Sequence, residues 1–285
     1  GHPVSHLMGF LDRATAMVGA GIDPVFVFDG KPHDLKFDTL AERKQRKVVA
    51  KEKWKAAVES EDWTTAQKLG SQIVSYTPEM VAETRRMLDL LGIANIEAPM
   101  EAEGASAVRC ANGEVAAVAS QDWDTLLYGA PVMVRNLVSH GTRKFGRVVK
   151  AERIFLQELL DEHGITHEQL VDLGIMIGTD FHPGIKGIGP KTGLKLIREH
   201  GTLEEICAVK NHEVPDNLED IRQLFLNHPI SDEAIPAAGM CDEEALREML
   251  VVGHNFSERR MKRALDRMQN VGRIRQGGQT SLFDF

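Results

Sequence analysis

Acidic residues follow short apolar runs at three separate places in the chain. Asp122 and Asp124 end a run of small and β-branched residues, Asp29 ends a second run, and Asp180 ends a third. Carboxylate oxygens are the hard ligands that Mg²⁺ prefers, and several of them brought together would repel one another unless cations held them. One such pair alone is more typical of a solvated turn, but the recurrence indicates a divalent-cation site.

A fourth acidic motif is Glu101-Ala102-Glu103, which follows Pro99. Two residues that lie two apart do not share a helix face. Glu101 and Glu103 could therefore enter one site only from a loop or from the first turn of a helix, and Pro99 is a helix start signal.

Basic residues are concentrated in residues 31–55, which hold nine Lys and Arg against four Asp and Glu. Such a run is usually a solvated helix face. In a chain with a formal charge of −8, a local excess of positive charge beside an acidic site favours an arm that contacts phosphates. The net charge therefore does not exclude nucleic acid.

A glycine-rich segment, residues 184–192, reads Gly-Ile-Lys-Gly-Ile-Gly-Pro-Lys-Thr. Gly187 and Gly189 predict a tight hairpin, and Pro190 is typical of a first helical position. The free N–H groups at such a helix start, with Lys191 and Thr192 beside them, suit a phosphate. Contact with a DNA backbone, independent of base sequence, needs this combination.

The elements that must position these residues predict an α/β fold. Short apolar runs that end in charge are typical of strands buried on both faces of a parallel sheet, and ligands gather at the carboxyl ends of such strands. We predict a mostly parallel central sheet flanked by helices. Helices are expected over residues 5–20, 54–76, 77–91, 154–164 and 167–178, and a hairpin is expected at residues 139–141.

Composition excludes several classes of protein. No apolar run reaches the roughly 20 residues of a membrane span, and three scattered cysteines make a disulfide framework or a structural zinc site improbable. The chain begins at Gly1 without a methionine or an opening strand, so we expect a natural N-terminus further upstream. After Gly277-Gly278 it ends in Leu282, Phe283 and Phe285, which suggests a peptide that docks in a groove of a partner, or a tail folded onto its own domain.

Together, these motifs resemble the flap endonucleases, the XPG-type family of structure-specific 5′ nucleases. The resemblance covers nearly the whole chain and includes residues 5–7, 25–32, 101–103, 122–124, 178–180, 187–191 and the terminal peptide. It implies the 5′-nuclease (PIN-like) fold. The implied domains are a nuclease core (1–267), containing a helical arch (30–77) and a helix–three-turn–helix element (174–201), and a tail (268–285).

The resemblance also implies roles for individual residues. Lys36 and Arg43 match arch residues that reach the scissile phosphate, and the glycine hairpin, residues 184–189, matches an element that grips duplex DNA with a K⁺ ion, although Gly184 replaces a serine common in relatives. The tail matches the peptide that binds the sliding clamp, PCNA, through Gln279, Leu282, Phe283 and Phe285, although Asp284 separates its aromatics. The carboxylates that match ligands of two divalent metals are Asp29, Glu101, Glu103, Asp122, Asp124 and Asp180.

The leading hypothesis is hydrolysis of a DNA phosphodiester at a 5′ flap by two Mg²⁺ ions about 4 Å apart, with Mn²⁺ as a substitute. Asp29, Glu101 and Glu103 would hold one ion, and the three other aspartates would hold the second. The expected protein is monomeric, archaeal and cytoplasmic, acts at the nucleoid and has no membrane contact. Two alternatives stay open: a PIN-like ribonuclease, and a clamp-tethered protein that binds branched DNA without catalysis, because a metal-binding aspartate of the family would precede Gly1.

Overall fold

The computed structural model describes residues 4–73, 76–139, 141–144 and 146–269, without the side chains of residues 37–42, 71–72 and 143–144. The helices are α1 (Ser5–Gly19), α2 (Phe37–Glu59), α3 (Trp63–Ile73), α4 (Pro78–Leu90), α5 (Ala102–Ala111), α6 (Asp124–Leu127), α7 (Leu156–His163), α8 (His167–Ile177), α9 (Pro190–His200), α10 (Leu203–Lys210), α11 (Leu218–Leu226), α12 (Glu243–Arg247) and α13 (Glu258–Met268). The strands are β1 (Phe26–Phe28), β2 (Asn95–Glu97), β3 (Val118–Ala119), β4 (Val132–Arg135), β5 (Arg143–Lys144), β6 (Arg147–Val148) and β7 (Glu152–Phe155).

The chain divides into two compact units, and the first contains residues 1–28, 76–97 and 231–285. Its core is built by Leu7 and Leu11 of α1, Leu88 of α4 and Met261 of α13, which are all fully buried. Because Thr77 accepts a hydrogen bond from the Met80 N–H and Pro78 follows it, α4 begins where the sequence predicts. Strand β1 pairs in parallel with β2, which the sequence did not predict.

The second unit contains residues 29–75 and 98–230. Its sheet has the order β3-β4-β7, with β3 parallel and β7 antiparallel to β4. Ile175, Ile197, Ile206 and Phe225, from four helices, are buried in its core. A capping box at Thr166 begins α8, and α8 and α9 enclose the glycine hairpin. Two of the four strand pairings among the described residues are parallel.

Several local predictions were wrong. Strand β3 is not buried on both faces, because Ala119 is exposed while Val118 is buried. The hairpin is the antiparallel pair of β5 and β6, which lies further along the chain than residues 139–141. Helix α2 continues to Glu59, so the next helix begins at Trp63 instead of Trp54. Helix α7 begins at Leu156 rather than Ile154, because residues 152–155 form β7 and pair with β4.

Candidate active site

Three of the predicted metal ligands form one cluster in the second unit. Ligand oxygens of Asp29, Glu101 and Glu103 all lie within 4.8 Å of one another. Glu101 occupies the N-cap position of α5 and Glu103 lies in its first turn, as the sequence predicted. The Ala102 N–H donates a hydrogen bond of 2.9 Å to Asp29 Oδ1, so the start of α5 stabilises the Asp29 carboxylate.

Gly30 lets Asp29 reach this helix start. A Cβ at Gly30 would lie 1.9 Å from the carbonyl oxygen of Ala98. The Gly30 N–H donates a hydrogen bond of 2.8 Å to the Met100 carbonyl. The two chain segments are therefore in backbone contact, which only a residue without a side chain permits.

Gly104 provides a second close approach, behind the ligands. A Cβ there would lie 2.5 Å from the ring of His228, which is only 5 % exposed. The His228 ring stands edge-on to Tyr128, with 4.9 Å between ring centroids. Burial lowers the pKa of His228 and so disfavours its charged form. The ring packs against the first turn of α5.

The other three carboxylates follow β3 and α8. Asp122 and Asp124 lie in the turn after β3, where the Asp124 N–H donates to Asp122 Oδ1 at 3.1 Å and α6 begins. Asp180 lies just beyond the last residue of α8. Asp122 is exposed, and Asp124 and Asp180 are half-buried.

Electrostatics show that these three join the first cluster. Burial, and then the charges of Asp122, Asp180 and Glu103, raise the pKa of Asp124 to about 7. Burial also raises the pKa of Glu103, and the negative charges of Asp29, Asp122 and Glu101 raise it further. The structure therefore brings all the predicted carboxylates together.

Lys36 and Arg43 neutralise part of this charge. Lys36 Nζ lies 2.6 Å from Glu101 Oε2 and 3.1 Å from Asp180 Oδ2, and Arg43 Nη2 lies 2.7 Å from Asp180 Oδ1. Burial lowers the pKa of Lys36, but the hydrogen bonds and charges of Glu101 and Asp180 outweigh it, so the pKa is raised. Both predicted basic residues thus reach the site.

The donor set fits divalent cations. Every predicted ligand is a carboxylate, the hard oxygen donor that Mg²⁺ and similar ions take. Burial raises the pKa values of Asp124 and Glu103, and the neighbouring carboxylates raise them further, so the ionised cluster is unfavourable without added positive charge. Bound cations would supply that charge.

The glycine hairpin has the predicted form. Gly187 has φ +89°, Gly189 is the N-cap of α9, and an added Cβ at either would meet no atom within 4 Å, so their backbone is open to a ligand. Lys191 and Thr192 are exposed in the first turn of α9. Gly184 has φ +85°, and a Cβ there would lie 2.5 Å from the Ile177 carbonyl oxygen, so this backbone does not admit a serine.

Sequence reasoning missed the residues that support the site from behind: Gly30, Gly104, Tyr128 and His228. An Asp-Gly pair after a strand signals a turn, and this alone could have pointed to Gly30. The predicted clamp-binding residues Gln279, Leu282, Phe283 and Phe285 lie outside the described residues.

Comparison with known proteins identifies the family. The XPG N-terminal domain matches residues 2–50, and the XPG I-region matches residues 92–180. Flap endonuclease 1 of Methanoculleus marisnigri is 44 % identical over 269 residues, covering 93 % of this chain and 80 % of that protein. Flap endonuclease 1 of Methanopyrus kandleri is 40 % identical over 298 residues, covering 100 % of this chain and 84 % of that protein. The chain belongs to the flap endonuclease family.

Solved structures confirm the predicted 5′-nuclease fold. Flap endonuclease-1 from Methanococcus jannaschii matches with a TM-score of 0.73 and 33 % identity, covering 97 % of this chain and 84 % of that one. The catalytic core of Rad2, solved in complex with a DNA substrate, has a TM-score of 0.72 at 22 % identity and covers 94 % of this chain and 85 % of that one, a likeness in fold. The chain is thus a structure-specific flap endonuclease that uses divalent metal, and neither a ribonuclease nor a non-catalytic DNA-binding role is favoured.

Among the described residues, no helix is both long and apolar enough to cross a membrane.

Proposed function

We propose that this flap endonuclease hydrolyses a DNA phosphodiester at the base of a 5′ flap with two Mg²⁺ ions, which Mn²⁺ can replace. The observation that supports this most directly is the convergence of carboxylates from four separate stretches of chain beside two basic residues. Bound ions of this kind supply a hydroxide nucleophile at neutral pH and stabilise the leaving oxygen.

The protein's own residues divide this work. Asp29, Glu101 and Glu103 would hold the ion nearer the attacking water, and a second set would hold the other ion: Asp122, Asp124 and Asp180. The positions of these carboxylates support the division. Asp29, Glu101 and Glu103 meet at the start of α5, whereas the other three follow β3 and α8.

Lys36 and Arg43 would contact the scissile phosphate. They pair with Glu101 and Asp180, and the same charges are available to a phosphate that enters between the carboxylates and α2. A positive group that meets charge as it develops on the phosphate contributes several kcal/mol to catalysis.

The remaining contacts follow the family. The hairpin at Gly187, Gly189, Lys191 and Thr192 would hold the duplex backbone, and a K⁺ ion at residues 184–189 would bind through carbonyl oxygens, because Gly184 has no hydroxyl. We propose that residues 279–285 bind the sliding clamp, PCNA, and that the enzyme acts as a monomer in an archaeal cytoplasm, at the nucleoid.

Cleavage of a 5′-flap DNA and of single-stranded RNA in Mg²⁺ tests the reaction. The flap should be cut and the RNA left intact, whereas binding of the flap without a Mg²⁺-dependent product would contradict catalysis. Asp122→Ala should abolish cleavage, and an unchanged rate would overturn the metal assignment.

Deletion of residues 279–285 tests the clamp contact separately. The shortened protein should lose affinity for PCNA and should cleave free flap DNA at the original rate. Unchanged affinity for the clamp would remove this proposal without affecting the catalytic one.

A further inference from the structure

An exposed tryptophan stands between two of the proposed metal ligands. Trp123 separates Asp122 from Asp124 and is 51 % exposed, whereas Thr125, two residues further on, is fully buried. Burying a large aromatic side chain is favourable, so an exposed indole beside the carboxylate cluster is available to a ligand that covers it.

Arg135 holds this ring in place. Its guanidinium carbon lies 4.1 Å from the centroid of the Trp123 ring, a cation–π contact. Strand β4 carries Arg135 one residue past the Ala119–Val134 pair, and Arg135 Nη2 donates to the Gln121 carbonyl at 3.4 Å. One face of the indole is therefore covered by a group that is itself anchored to the turn.

The guanidinium is not held in an ion pair within the part of the chain that the structure describes. Its Nε is buried without a hydrogen-bond partner, and Glu152, which stands opposite Arg135 on β7, forms no ion pair with it. A planar aromatic ring beside a guanidinium is a pairing that proteins use to stack a nucleobase and contact its phosphate.

We propose that Trp123 and Arg135 form a nucleotide-stacking subsite. The indole stacks on the base of the nucleotide next to the scissile phosphodiester, and the guanidinium contacts a backbone phosphate of the same strand. This subsite rests on the proposed function and adds to it a residue, Trp123, that contacts a base from the turn holding Asp122 and Asp124. A protein surface would also cover an exposed indole, but the neighbouring metal ligands favour nucleic acid.

A series of 5′-flap DNAs with one abasic nucleotide tests the stacking. The abasic position is moved one nucleotide at a time across the scissile bond, and single-turnover rate and affinity are measured for the original protein, Trp123→Ala and Trp123→Phe. At one position the original protein should lose about 5- to 100-fold in cleavage efficiency. Trp123→Ala should lose the same factor on intact DNA and nothing more at that position, while Trp123→Phe should retain most of the activity.

Two outcomes would overturn the subsite. One is that no abasic position affects the original protein, and the other is that the losses from Trp123→Ala and from the abasic nucleotide multiply at every position. Either result leaves cleavage of intact flap by the original protein in place, so it is distinct from failure of the proposed function, in which that cleavage is absent.

Two further variants complete the experiment, the first as a control and the second as a test of Arg135. Val209→Ala removes an apolar side chain of α10 that is 60 % exposed and should behave as the original protein does on every substrate. Arg135→Gln should weaken binding of intact and abasic flaps alike and lower the salt dependence of binding by about one counterion, because it contacts phosphate. An unchanged salt dependence would contradict the role of Arg135.

Discussion

Two groups of carboxylates in the second unit have opposite surroundings. Asp172 is 4 % exposed, yet Arg222 donates to its oxygens at 2.7 and 2.8 Å and the Leu203 N–H donates at 3.0 Å. Arg222 also binds Glu204 at 2.6 Å, and this hydrogen bond lowers the pKa of Glu204. Burial raises the pKa of Asp124, and the charges of neighbouring carboxylates raise it further, against a smaller opposing effect of Lys36.

The difference separates a structural role from a functional one. Arg222 on α11 joins α8 through Asp172 and α10 through Glu204, so its charge is used inside the fold to tie three helices together. The carboxylate cluster around Asp124 has only Lys36 and Arg43 as positive partners among the described residues, so bound cations would stabilise it. Acidic residues alone therefore do not indicate a metal site, whereas clustered carboxylates with few positive partners favour one.

Breaking the structural group should give the largest effect on stability. Arg222→Leu leaves Asp172 buried and unpaired, and we expect a loss of about 3–5 kcal/mol in the free energy of unfolding, measured by urea denaturation. Lys195→Ala breaks an exposed pair with Glu199 (3.6 Å) and should change this free energy by less than about 0.5 kcal/mol. A loss below about 1 kcal/mol for Arg222→Leu would show that the helices do not depend on this group.

Removing a charge from the active-site cluster should have opposite effects on activity and stability. Asp124→Asn should lower kcat/KM on a 5′ flap by about 100- to 1000-fold, a loss of about 2.7–4 kcal/mol. It should also raise the unfolding free energy of the metal-free protein, because one repelling charge is gone. Asp220→Asn, at an exposed position of α11, should change neither quantity, and a less stable Asp124→Asn would contradict the shortage of counter-charge.

Filling the space behind the ligands should disturb them by overpacking. Gly104→Ala should cost about 1–3 kcal/mol of stability and weaken Mg²⁺ binding, measured by calorimetry, because α5 must move away from His228. Adding His228→Ala should restore much of the Mg²⁺ affinity. Gly9→Ala is the matched control, since its Cβ would meet only the flexible Arg13 side chain at 3.4 Å. Equal Mg²⁺ affinities for Gly104→Ala and the original protein would remove the positioning role of this contact.

The pH dependence should show the smallest effect. Because the pKa of Asp124 is raised to about 7, the folded metal-free protein keeps a proton that the unfolded chain loses near pH 4, and its stability should fall as pH rises from about 4 to about 7. We expect a contribution of about 1–2 kcal/mol, less than the full pKa shift implies, because charged neighbours can move apart. Asp124→Asn should remove this contribution, and an identical pH profile for both proteins would contradict it.

The carboxylates and basic residues that the structure brings together could be named from the sequence, but the contacts behind them could not. Acid residues at the ends of apolar runs and a Thr-Pro cap at the start of α4 are local patterns, so their positions followed from neighbouring residues. Strand β2 and strand β7 were missed because each is short and is stabilised by a partner strand distant in the chain.

What the sequence by itself determined is the identity and order of the charged groups, which are the carboxylates and the basic residues 31–55, and the place of the glycine hairpin. Only the tertiary structure decided which charges are neutralised and which side chains stand behind the carboxylates. The pairing of Asp172 with Arg222 and the contact of Gly104 with His228 both join residues far apart along the chain. Such pairs depend on how helices pack, and packing is a property of the whole core rather than of any one segment. The same argument applies to Trp123, whose exposure and contact with Arg135 depend on where β4 lies beside β3.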